Sequence, residues 1–176
     1  MTTGATNGTP RSVLLVDDTP DVRLLVRRAL ERSGGLAVVA EAADGSAGVA
    51  AAREHSPDVV LLDIAMPVMD GLEALPLIRE AVPDATVIML SGFGAERMVD
   101  LSLRSGADGY IQKGAPMSEL VRRVYQLMED GSAPGAGGSG RGFVTLLPSA
   151  GRSWGLDGGG FWRVVAGLVG FRPAPA

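Results

Sequence analysis

The 176-residue chain contains no cysteine, which excludes disulfides, thiolate zinc sites and cysteine nucleophiles. Long apolar runs are missing as well; none approaches the roughly 18 residues of a spanning helix. The first residues, MTTGATNGTPRS, are polar and lack the basic-then-apolar profile of a signal peptide. A cytoplasmic protein with no membrane span is expected. Histidine occurs once, as His55 in the polar stretch AREHSPD. With no second histidine or cysteine nearby, it reads as a solvated surface residue rather than a transition-metal ligand. Lysine also occurs once, as Lys113, in a chain that otherwise carries 15 arginines. The net charge of -4 is mild and gives little support to nucleic acid as the main partner.

What is present is ordinary in bulk and uneven in layout. Hydrophobic residues make up 46% and charged residues 20% of the chain, as in a typical globular protein. Residues 1–130 carry a balance of -7, whereas residues 131–176 carry +3. Composition changes at the same place, where GSAPGAGGSGRG has the character of a flexible Gly/Ser linker. The expected layout is a flexible N-terminus (1–10), a folded domain (11–130), a linker (131–142) and a tail (143–176).

Within the folded part, short apolar runs alternate with helical patterns. SVLLVD (12–17), LAVVAE (36–41), DVVLLD (58–63), ATVIML (85–90) and DGYIQ (108–112) read as five strands. Most are nearly continuous in Val, Leu and Ile, which fits parallel strands covered on both faces. Val22, Leu25, Val26, Ala29 and Leu30 repeat with helical spacing, with arginines opposite. Met117, Leu120, Val121, Val124, Leu127 and Met128 form a second stripe after Pro116. The helical segments after strands two and four are less clearly amphipathic. In the segment after strand three, a start near Leu72 places Pro76 at the edge of the first turn, where a missing N–H costs little. Five βα units in series predict a doubly wound α/β domain built on a five-stranded parallel sheet. In that architecture the ligand site lies beyond the carboxyl ends of the strands.

The polar residues that follow the apolar runs are Asp17-Asp18, Asp63, Ser91 and Lys113. Clustered carboxylates repel and raise one another's pKa unless a positive charge joins them. A divalent cation meets that need, and hard oxygen ligands suit Mg²⁺, which binds through one or two carboxylates plus phosphate oxygens. The cation, the Lys113 ammonium and the Ser91 hydroxyl together would hold a phosphoryl group by position and charge. A carboxylate remains available as a nucleophile. Asp17-Asp18 taken alone would serve equally well as a helix cap, and the MDG at Asp70 reads as a turn and cap only.

VLLVDDTPDVRLLV, PDVVLLDIAMPVMDGLEAL, VIMLSG and SGADGYIQKGA together resemble the receiver domain of bacterial two-component response regulators, with a flavodoxin-like fold, over about residues 11–130. The resemblance implies that Asp63 is the phosphoacceptor, charged by a sensor histidine kinase. It implies Mg²⁺ held by Asp18 directly, by Asp17 largely through water, by Asp63 and by the backbone carbonyl of Ala65. Ser91 matches the hydroxyl that bonds the phosphoryl oxygen, and Lys113 the lysine that pairs with acceptor and phosphoryl group. Tyr110 matches an aromatic whose rotamer reports activation, although an aromatic in a last strand is also an ordinary core residue. The small Ala65 and the nearby Phe93 suggest slow self-dephosphorylation. The output face implied is helix four, strand five and helix five, binding a downstream protein or a second copy.

The branch that the chain resembles usually carries a C-terminal helix-turn-helix. None is visible in residues 131–176, which hold 13 glycines, both tryptophans and no dense basic patch, so DNA binding is not supported. The short apolar stretch FWRVVAGLVGF (161–171) is compatible with a partner-docking or membrane-surface segment, but a disordered tail is the expectation. The leading reading is a receiver acting as phosphorelay intermediate, phosphate sink or protein-binding switch, not an enzyme on a separate substrate. The alternative is a transcriptional response regulator whose output domain is lost, truncated or unrecognised. A phosphatase is disfavoured because Ala65 stands where a second acid is needed.

Overall fold

The structure, a computed structural model, describes residues 9–92 and 105–131. Strands β1 (Arg11–Val16), β2 (Leu36–Ala42), β3 (Val59–Asp63), β4 (Thr86–Ser91) and β5 (Gly109–Gln112) alternate with helices α1 (Pro20–Arg32), α2 (Gly45–His55) and α3 (Gly71–Ala81). The helix after β5, α4 (Met117–Gly131), is the fifth in the sequence-based count. The expected fourth helical segment, Phe93, the linker beyond Gly131 and the tail lie outside the described residues. No helix among the described residues is long and apolar enough to cross a membrane.

The five strands form one parallel sheet in the order β2-β1-β3-β4-β5. Its direction of winding reverses between β1 and β3, the position at which such sheets open a crevice. Alternation along β1 shows why both faces are covered. Leu14 and Val16 join Leu62, Val49, Leu75 and Ile78 beneath α2 and α3. Val13 and Leu15 join Val26, Leu30, Leu61, Val124 and Leu127 beneath α1 and α4. The stripe expected after Pro116 is therefore the buried face of α4, and Val22, Val26 and Leu30 are that of α1.

The ends of the helices follow their local chemistry. Pro20 opens α1, where its missing N–H has no partner to lose. In α3 the Asp70 carboxylate accepts from the N–H groups of Leu72 and Glu73, while Glu73 accepts from the Asp70 N–H. This reciprocal cap starts the helix at Gly71, one residue earlier than expected. Pro76 consequently lies inside α3 rather than at the edge of its first turn. It cannot donate to the carbonyl of Leu72, so the cap and the buried Ala74, Leu75 and Ile78 must hold the helix around it. Helix α2 shows little apolar stripe because it packs through glycine: a Cβ on Gly48 would stand 2.9 Å from Val16 Cγ1.

An arginine ties down the opposite end of the sheet. Arg79, from α3, donates through Nε to the Gly106 carbonyl at 2.7 Å, and through its terminal nitrogens to the Ala85 carbonyl and the Asp108 carboxylate. Asp108 also accepts from the Val87 N–H at 2.8 Å. The approaches to β4 and β5 are thus joined to α3 by one guanidinium.

Candidate functional site

Strand register delivers the polar residues to a single edge. Val16 pairs with Leu62, so the next residues, Asp17 and Asp63, emerge side by side at the β1/β3 boundary. Asp63 pairs with Leu90 on β4, and Ser91 pairs with Gln112 on β5. The Lys113 N–H then bonds the Ser91 carbonyl at 2.8 Å, which fixes the start of the lysine side chain beside β4. Gly71 sets the other wall. A Cβ there would be driven into the Asp63 backbone carbonyl, and the Gly71 N–H bonds the Ile64 carbonyl at 2.9 Å. Only glycine permits α3 to start this close to the strand that carries Asp63.

The side chains converge in a mostly buried pocket. Lys113 Nζ lies 2.7 Å from Asp17 Oδ2 and 2.8 Å from Asp63 Oδ2. Asp17 is fully buried and Asp63 is 3% exposed, whereas Asp18 is exposed. Asp17 Oδ1 accepts from the Thr19 N–H at 2.9 Å, and Asp18 Oδ1 from the Thr19 hydroxyl at 3.1 Å. Neither aspartate is the N-cap of α1, which is Thr19. Asp17 Oδ2 receives no hydrogen bond of good geometry; the ammonium reaches it as a charge.

Electrostatics in this pocket pull in opposite directions. Burial raises the pKa of Asp63 to about 6; Lys113 opposes the rise and Asp17 adds to it. For Lys113 burial disfavours the charged form, but the two carboxylates outweigh it and the net shift is upward. Lys113 is shared by two carboxylates, and Asp18 adds a third beside them. Carboxylate oxygens of Asp17, Asp18 and Asp63 all lie within 4.8 Å of one another. An all-oxygen set with surplus negative charge and an incompletely bonded buried oxygen fits a hard divalent cation.

The remaining sequence-based candidates are distributed as follows. Ser91 ends β4 and is 7% exposed at the same edge. Tyr110 is buried in the cluster that contains Val87 and Met89. Ala65 is exposed, two residues after Asp63. His55 ends α2 in solvent, as expected. Two contributors escaped the sequence reading: Gly71, through its close approach to Asp63, and Arg23, which donates to the Asp17 carbonyl at 2.5 Å. The MDG stretch signals a turn at Gly71, but no local pattern announces Arg23.

Known proteins agree with this geometry. The family model described as the response regulator receiver domain matches residues 13–125. The nitrate/nitrite response regulator protein NarL of Escherichia coli is 35% identical over 120 residues, covering 68% of this chain and 56% of NarL. The chain thus spans about half the length of that relative. The chemotaxis protein CheY of Bacillus subtilis is 41% identical over 116 residues, covering 66% of this chain and 96% of CheY. Among solved structures, the CheX–CheY–BeF3–Mg²⁺ complex from Borrelia burgdorferi matches with a TM-score of 0.64 at 35% identity, over 68% of this chain and 90% of that one. Fold, strand-end chemistry and sequence similarity converge: this chain belongs to the receiver domain family of two-component response regulators, in which phosphorylation is the activating event.

Proposed function

We propose that residues 11–130 form a receiver in which Asp63 accepts a phosphoryl group from the phosphohistidine of a sensor kinase. An Asp63 carboxylate oxygen attacks phosphorus, the P–N bond breaks as the P–O bond forms, and the histidine leaves with a proton. The observation that carries the reading is the ammonium shared by Asp17 and Asp63 at the β1/β3 edge. Asp17, Asp18, Asp63 and the Ala65 carbonyl are assigned as holders of Mg²⁺, which supplies charge neutralisation for the transferring group. A similar protein was solved with Mg²⁺ and BeF3 present. Lys113 exchanges one carboxylate for a phosphoryl oxygen, and Ser91 donates its hydroxyl to another. The transfer occurs on the protein itself, so the chain is a phosphoacceptor rather than an enzyme with a separate substrate.

Activation is assigned to Ser91 and Tyr110, whose rearrangement changes the surface around β5 and α4 for a downstream protein or a second copy. The fit of CheY over nearly its full length favours a receiver acting by itself. NarL, matched over about half its length, favours the second reading, a transcriptional regulator with a separate output region. Incubation with Mg²⁺ and acetyl phosphate tests the core of the proposal by intact-protein mass. Wild type is expected to gain a phosphoryl group and Asp63→Asn none; equal modification of both refutes the assignment. Salt-dependent binding of duplex DNA by the phosphorylated full chain would select the second reading over the first.

A further inference from the structure

Arg23, the fourth residue of α1, has a side chain only 16% exposed and makes two directed contacts. Its Nη1 donates to the Asp17 backbone carbonyl at 2.5 Å, and its Nε donates to Glu41 Oε2 at 3.2 Å. Glu41, near the end of β2, is itself held from the other side by Arg27 Nε at 2.5 Å. The Asp17 N–H bonds the Ala42 carbonyl at 3.1 Å. Residue 17 is therefore gripped at its N–H by strand β2 and at its carbonyl by Arg23.

The second grip matters for Asp18. A peptide unit is planar, so holding the Asp17 carbonyl fixes the nitrogen and Cα of Asp18 as well. Asp18 is exposed, and its carboxylate accepts a hydrogen bond from the Thr19 hydroxyl at 3.1 Å. The direction in which it leaves the backbone is set by the peptide that Arg23 holds. Arginine suits the task because its rigid planar fork holds a carbonyl and a carboxylate in a fixed mutual geometry, which the freely rotating ammonium of a lysine does not impose.

We propose that Arg23, oriented by Glu41, is a positioning residue for divalent-cation binding at the Asp17–Asp18 turn. It contacts neither cation nor phosphoryl group and acts through the backbone that carries both carboxylates. The inference rests on the assignment of the acidic cluster as the Mg²⁺ site and adds the parts that aim it.

The test is calorimetric titration of the full chain with Mg²⁺ alone, comparing wild type, Arg23→Met, Arg23→Lys, Glu41→Gln, the Arg23→Met/Glu41→Gln double variant and Asp18→Asn. Arg23→Met is expected to weaken Mg²⁺ binding about tenfold, the usual effect of removing an outer partner. Arg23→Lys recovers part of that loss, and Glu41→Gln gives a smaller one. The double variant is no weaker than Arg23→Met, because both act along one chain of contacts. At saturating Mg²⁺, phosphorylation of Arg23→Met by acetyl phosphate returns to within about twofold of wild type. Unchanged affinity in Arg23→Met, or additive losses in the double variant, overturns the proposal. Should Arg23→Met fail to fold, unchanged affinity in both Arg23→Lys and Glu41→Gln overturns it instead. Asp18→Asn separates the two levels. If it binds Mg²⁺ as tightly as wild type, the metal assignment itself falls, and the positioning role with it. If it loses binding while Arg23→Met keeps it, only the positioning role falls.

Discussion

Asp63 is expected to destabilise the metal-free protein whenever it is ionised, and its amide replacement exposes the size of that effect. Burial and the neighbouring Asp17 raise its pKa from 3.8 to about 6, even with Lys113 at 2.8 Å. Two units at 1.36 kcal/mol each amount to about 3 kcal/mol between the ionised and neutral forms. The native protein holds the Asp63 proton more tightly than the unfolded chain does, so stability falls as pH rises from about 4 through about 6. Asparagine reproduces the neutral form and leaves Lys113 paired with Asp17. Asp63→Asn is thus expected to stabilise the protein by about 2–3 kcal/mol at pH 8 and by almost nothing at pH 4. Urea unfolding in the presence of a chelator, at the two pH values, measures this directly. Added Mg²⁺ is expected to narrow the gap, because it stabilises wild type by mass action. A variant no more stable than wild type at pH 8 would refute the account of the pocket as an overcharged, desolvated site.

Three other perturbations probe separate parts of the molecule. Lys113→Arg keeps the charge but replaces a slim stem with a broad fork, and should lose most of the beryllofluoride-induced chemical-shift change in β5 and α4; an unaltered response contradicts the size argument. Gly71→Ala drives a methyl group into the Asp63 carbonyl and should cost about 2–4 kcal/mol in urea unfolding, with slower acetyl phosphate labelling; wild-type stability refutes the close approach. Arg79→Met strips the guanidinium from Asp108 and from the Ala85 and Gly106 carbonyls, and should cost about 3 kcal/mol with faster amide exchange in β5. Unchanged exchange there would show that the arginine is not the tie between α3 and β5.

Much of the fold was legible because its signals are local. Each strand is a nearly continuous apolar run, and all five expected strands start and end within one residue of those observed. The site was legible for a related reason: strand-end positions in a parallel sheet converge, so Asp17, Asp63, Ser91 and Lys113 could be grouped without coordinates. What escaped depends on contacts between distant positions. Arg79 and Asp108 are 29 residues apart, and Arg23 and Glu41 are 18 apart, with nothing in either neighbourhood to announce the pairing. Gly48 hid α2 from a search for apolar stripes, since a helix that packs by close backbone approach has little side chain to show. Pro76 was misplaced for a similar reason: the Asp70–Glu73 cap fixes where α3 starts, and a hydrophobic pattern does not.

The ammonium between Asp17 and Asp63 has a thermodynamic corollary. It lies against Oδ2 of both residues and so places a positive charge on two of the three carboxylates that cluster there. On the proposed assignment a cation at that cluster would share those carboxylates with the lysine, and the two positive charges would weaken each other's hold. An anion that draws the lysine away would then leave the carboxylates freer for the cation, and by reciprocity anion and cation would strengthen each other's binding by a common factor. If the proposed assignments hold, cooperativity between metal and phosphoryl group is expected from this internal counterion alone, before any larger movement of the protein is considered.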